Sequence, residues 1–212
     1  MKYLLSFLLV GMFSLSMSFP SGSKVPDSFM KLVEANELEF RMPDSFKIIS
    51  THKNPDMSYD FALKSKTKDI EIRYAIMPLK DLVDSFEKSK TDTSMKVINP
   101  DAKFAKMVLW MSTYNIADSV FGGFDSLETN PMYKALTSFP AEDVKHDFNA
   151  DWGAFATLIP RKTFAKGYDH CIIVVIHKSK IANACMVYLY NKTEDTNTIF
   201  KNEVFDALRF RE

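Results

Sequence analysis

Between Asp151 and Tyr190 the chain is apolar in three successive stretches, Trp152 to Ile159, Tyr168 to His177 and Ile181 to Tyr190. The middle one carries Cys171-Ile172-Ile173-Val174-Val175-Ile176, rich in the β-branched residues that suit a pleated surface and too short to span a bilayer. It predicts the centre of a sheet. The third stretch follows after only Lys178, Ser179 and Lys180, a connection of hairpin length that makes the two strands antiparallel neighbours. Strands apolar on both faces need a cover on each side.

The same reading runs through the rest of the chain. Ser21 to Pro26 reads as a polar tether, and Asp27 to Asn36 as a short helix capped by Asp27, with Phe29, Leu32 and Val33 on one side. Leu38, Phe40 and Met42 alternate with Glu39 and Arg41, which is strand periodicity, and Phe46 to Ser50 continues after a Pro43-Asp44 turn. His52 to Met57, with Asn54-Pro55-Asp56, is a loop. Tyr59, Phe61 and Leu63, then Ile70, Ile72, Tyr74 and Ile76, form the clearest hairpin, with one apolar and one charged face. Leu79 to Lys88 predicts a helix with Leu79, Leu82, Val83 and Phe86 at the spacing of one apolar face.

Asn99 and Pro100 suit a cap and first turn for a helix whose stripe is Phe104, Met107, Val108, Met111 and Tyr114. Ser119 to Asn130 holds Phe121-Gly122-Gly123-Phe124, read as an ordered loop, and Pro131 to Phe139 as a short helix. Pro140 to Asn149 is helix or loop. Thr193 caps a last helix that turns Ile199, Val204, Phe205 and Leu208 inward. The fold class is α+β: a mostly antiparallel sheet of six to seven strands, helices on both faces, and a helical insertion at about 94–149. No repeat or composition break divides it, so residues 37–212 read as one domain after a tether and short helix at 19–36.

Composition changes this picture little. With 212 residues and 46% hydrophobic content there is ample core, and Lys plus Arg balance Asp plus Glu at 27 each, so no global basic field points to nucleic acid. The N-terminus matters more. Lys2 precedes an apolar run from Tyr3 to about Met17, with Ser16 and Ser18 spaced as a signal peptidase prefers, so residues 1–18 predict a cleaved signal peptide. The run falls short of the roughly 20 residues of a spanning helix. The expected mature chain is periplasmic or secreted, with no transmembrane helix.

An exported chain with two cysteines admits one disulfide. A turn centred on Lys178 sets Cys171 opposite Cys185, a one-residue slip puts them on opposite faces, and two buried free thiols are the alternative.

The early strand with Met42-Pro43-Asp44-Ser45-Phe46, the hairpin from Tyr59 to Ile76 and the closing hairpin, helix and Ala207-Leu208-Arg209-Phe210 together resemble the PsbP/Mog1/DcrB group of small exported or accessory domains. The resemblance covers most of residues 37–211. It implies an antiparallel sheet with helices on both faces and a non-catalytic binding or accessory role, for a protein partner or a small ligand. It implies no cofactor and hands over no functional residue.

Chemistry-bearing residues are few. Glu142, Asp143, His146 and Asp147, if helical, place carboxylates and an imidazole three and four residues apart, as a divalent metal site for a hydrolase would need; a solvated helix or loop with local charge pairs is the plainer reading of the same residues. Asp169-His170-Cys171 is no catalytic pair, since adjacent strand residues face opposite ways. His52 and His177 read as surface or strand-end residues. Lys103, Phe104, Lys106 and Trp110 fit a core stripe better than a nucleic-acid stacking surface. Phe121 and Phe124, with Trp152, are the candidate ligand contacts, and a patch of Phe121, Phe124 and Met132 would suit a structural part of an envelope complex. Asn191-Lys192-Thr193 fits a glycosylation sequon. No Gly-x-Ser-x-Gly elbow, phosphate-cradling glycine loop or His-Glu-x-x-His is present.

Overall fold

In the computed structural model, residues 24–92, 94, 96–118 and 136–212 are described. The expected signal peptide at residues 1–18, the candidate contacts Phe121 and Phe124, and Met132 lie outside them. The chain runs α1 (Asp27–Ala35), β1 (Leu38–Phe40), β2 (Phe46–Ile49), β3 (Phe61–Ser65), β4 (Ile70–Pro78), α2 (Lys80–Ser89) and α3 (Ala102–Ile116). Then come β5 (Thr137–Ser138), α4 (Ala141–Phe148), β6 (Trp152–Leu158), β7 (His170–Lys178) and β8 (Ala182–Tyr190). A 3-10 turn (Thr193–Asp195), α5 (Thr196–Ile199), α6 (Asn202–Phe205) and β9 (Leu208–Phe210) close it.

Seven strands form one antiparallel sheet in the order β2-β3-β4-β8-β7-β6-β5, and β1 pairs with β9 in a second, two-stranded sheet. The α+β class with an antiparallel sheet is therefore the fold. The centre is β8, one strand over from the expected β7: all nine of its residues are buried because it lies between β7 and the long early strand β4. Alternation along β7 and β8 splits the interior into two layers. Ile172, Val174, Ile176, Met186 and Tyr188 face one core with Phe29 and Val33 of α1, Val144 and Phe148 of α4, and Ile199 and Val204. Cys171, Ile173, Val175, Cys185, Val187 and Leu189 face the other, under Leu109, Trp110 and Ile116 of α3 and the segment around Phe164.

Several local expectations change. Asp27 is the first helical residue behind an N-cap at Pro26, and it pairs with Lys24 at 2.9 Å. The α3 cap is Asp101, whose side chain accepts from Lys103 N and Phe104 N, because its carboxylate sits where those free amides point. The buried stripe of α3 is Ala105, Leu109, Trp110, Thr113 and Ile116, rotated from the one expected, and Met111 is exposed. Phe104 and Val108 are only half-buried. Around Thr137 the chain is strand rather than helix and pairs with β6. The last helix breaks into short turns, and Leu208 belongs to β9.

The register of the β7–β8 hairpin differs too. Lys178 pairs with Ala182, and Lys180 takes a left-handed φ of 66° in the three-residue turn. Cys171 therefore faces Leu189, and Cys185 faces Val175. Both thiols lie on the α3 side, but four residues apart along the strands, about 13 Å at strand rise, so they are free rather than bridged.

Candidate functional site

The charged face of the β3–β4 hairpin is not left to solvent. Arg73 is 8% exposed. Its Nε donates to Glu71 at 2.7 Å, its Nη1 donates to the Phe164 carbonyl at 2.7 Å, and its guanidinium lies 4.9 Å from the Tyr59 ring centre and 4.7 Å from that of Phe164. A planar cation between two rings keeps favourable contacts that an ammonium would lose. Next to it Lys64 bonds Asp69 and the Tyr168 hydroxyl. Burial works to lower the Lys64 pKa, but these two partners carry it above its ordinary value.

These contacts bind the 160–168 segment to the sheet, and that segment in turn fixes the loop before β3. Asn54 Nδ2 donates to the Phe164 carbonyl at 3.3 Å and Thr163 Oγ1 donates to Asp56 at 2.9 Å. At the loop's other end Asp60 N donates to the Tyr74 carbonyl, and Asp60 accepts from Ile76 N at 2.8 Å. Desolvation of the Asp60 carboxyl raises its pKa by more than the Ile76 hydrogen bond lowers it.

A loop held at both ends leaves a cavity of about 260 Å³ between itself, α3 and the sheet. Ala75, Val108, Val175 and Cys185 make apolar walls, Met57 and Met77 close the sides, and Ser58, Asp60, Ser112 and Asn183 bring polar groups to it. The thiol of Cys185 is pushed up to about 12 by burial, so at neutral pH it is an uncharged SH. Cys171 is fully buried. Beside the cavity, strand register lines up Trp152, His177, Asn183 and Met77 across four strands. His177 lies near the end of β7, as one of its two readings had it, but is fully buried: its Nδ1 lies 2.7 Å from Asn183 Oδ1, while Nε2 has no partner. Asn183 Nδ2 donates to the Met77 sulfur at 3.8 Å. Trp152 packs on the same core but is separated by His177 from Asn183, the nearest residue in that row that lines the cavity.

The acidic and histidine cluster does sit on a helix, α4, but it does not converge. His146 is turned to its neighbour Asp147 at 2.7 Å and is largely exposed, and among the described residues no three His, Cys, Asp or Glu stand close enough to hold a metal ion. The half of α4 that works is its apolar side, Val144 and Phe148. Asn191 of the sequon is spent internally: its amide donates to Gly167 O at 2.9 Å and to Asp69, and its carbonyl accepts from Asp169 N. Among the described residues no helix is long and apolar enough to cross a membrane.

The cavity was illegible in the sequence because its parts come from five places in the chain, the loop before β3, β4, α3, β7 and β8. The one usable signal was Asn54-Pro55-Asp56 ahead of a strand, which marks an ordered loop but not what it covers. No family model matches the chain, and comparison with curated proteins gives no significant match.

Proposed function

We propose that the chain is an exported, non-catalytic binding module that takes a small ligand into the cavity between α3 and the sheet. The observation that carries this reading is the cavity itself: apolar walls with a few polar groups, in a loop braced at both ends, which is how small-molecule sites are built. Export is supported by Lys2 and the apolar run behind it. The likeness to PsbP/Mog1/DcrB domains supports an accessory role. The binding test uses the neutral dye N-phenylnaphthylamine, whose fluorescence rises in apolar surroundings. One dye per chain, lost in Val108→Trp with the fold intact, is the expected result; dye uptake that ignores Val108→Trp removes the cavity as the site.

A further inference from the structure

We infer that the ligand class of this cavity is a soft, thiophilic cation, Cu(I), held by the sulfur atoms of Met57, Met77 and Cys185; the inference rests on the cavity being the binding site. Three sulfur-bearing side chains from three separate segments, the 51–60 loop, β4 and β8, line one space. Met57 and Cys185 belong to the packing of the α3-side core, and Met77 is the unusual one of the three. Met77 is 43% exposed, and its sulfur is held by the Asn183 amide, whose own carbonyl is tied to buried His177. That chain of contacts orients a thioether toward the α3 side of the sheet, the way outer hydrogen bonds orient metal ligands. Cys185 differs from fully buried Cys171 in lining the cavity while staying 7% exposed.

The donor set selects the ion. Thioether and thiolate sulfur suit Cu(I), whereas hydrated, hard cations need several oxygen ligands, and Asp60 is the one carboxylate lining the cavity. The described residues offer those harder ions no group of three His, Cys, Asp or Glu. Asp60 adds a carboxylate to the cavity wall, a negative charge for an arriving cation. On binding, the Cys185 S–H bond breaks, the S–Cu bond forms, and the proton leaves to solvent; no electron changes hands.

The test is anaerobic competition of the folded chain against the Cu(I) indicator bicinchoninate, with Zn(II) as the contrasting ion. One Cu(I) per chain is expected, with affinity falling at least tenfold in Met57→Leu/Met77→Leu, which keeps the apolar volume, and in Cys185→Ser, while Cys171→Ser is unchanged. Failure to retain Cu(I), retention indifferent to the methionine pair, or loss that follows Cys171→Ser would overturn the assignment. N-phenylnaphthylamine binding measured on the same samples separates the cases: dye bound without copper leaves the cavity a site for another ligand, and neither bound ends both readings.

Discussion

Arg73 and Phe164 meet twice, through a 2.7 Å hydrogen bond from Nη1 to the Phe164 carbonyl and through the guanidinium lying 4.7 Å from the ring centre. One residue of the sheet thus carries both the charge and the stacking that hold the 160–168 segment in place.

Removing that cation leaves Glu71 in a site that is only 14% exposed. Arg73→Leu is expected to cost about 3 kcal/mol or more in urea unfolding, because a buried ion has lost its partner. Glu71→Gln/Arg73→Met should recover most of the loss. A double variant as unstable as the single one would mean that the stacking, not the charge pair, holds the segment.

Asp60 tests the sign of burial. Its folded pKa lies above the unfolded value near 3.8, so ionisation costs stability above that range, and the cost fades as pH falls toward 4. Asp60→Asn keeps the acceptor for Ile76 N. At pH 7 it should match or exceed the parent in thermal melts, with the difference closing on acidification. A constant deficit at every pH would contradict the desolvation account.

The thiols should behave as separate, shielded groups. Melting temperature should not respond to reductant, and intact mass should show both thiols reduced even after aerobic handling. Under native alkylation Cys185 is expected to react slowly and Cys171 only after unfolding, since burial raises both thiols and Cys171 has no exposed surface. A linked Cys171–Cys185 peptide in a digest would refute the register.

Gly153 marks where α4 lies on β6. A Cβ there would meet Phe139 at 3.2 Å and Val144 at 3.3 Å. Gly153→Val should therefore destabilise by about 2 kcal/mol through overpacking, with Gly153→Ala costing less. Equal stability of the valine variant in chemical denaturation would show that the helix can lift away freely.

Asp101→Ala removes the acceptor for two α3 amides, at 2.9 and 3.1 Å. A loss of about 1 kcal/mol is expected, with Asp101→Asn or Asp101→Ser close to the parent. No change on urea titration would mean that packing alone starts the helix.

The strands were legible because their signal is local: alternation in Phe61 to Ile76 and the β-branched run from Ile172 to Ile176 survive any tertiary context. What escaped was set by distant partners. The phase of α3 is not legible because Met107, Val108 and Met111 are as apolar as Leu109 and Ile116, and contact with β6 and β7 picks the face. Alternation puts Arg73 on the charged face of its hairpin, but nothing near it in sequence announces Phe164. His177 does stand near a strand end, one of its two expected places, but its full burial depends on a partner, Asn183, that sits on the next strand. The Met57, Met77 and Cys185 grouping depends on a loop crossing the sheet, which no periodicity encodes.

The strand order carries a consequence for how the chain is made. β4 completes its hairpin early, yet its other edge, from Ile70 to Pro78, waits for β8, whose residues Tyr190 to Ala182 are translated far later. Until then a long, apolar edge stands open beside an unfinished core, the kind of template on which neighbouring chains stick together. Closing it demands a non-local encounter, so folding should be slow and vulnerable while the chain is incomplete. A holding chaperone that masks this edge would then govern yield more than the final stability does.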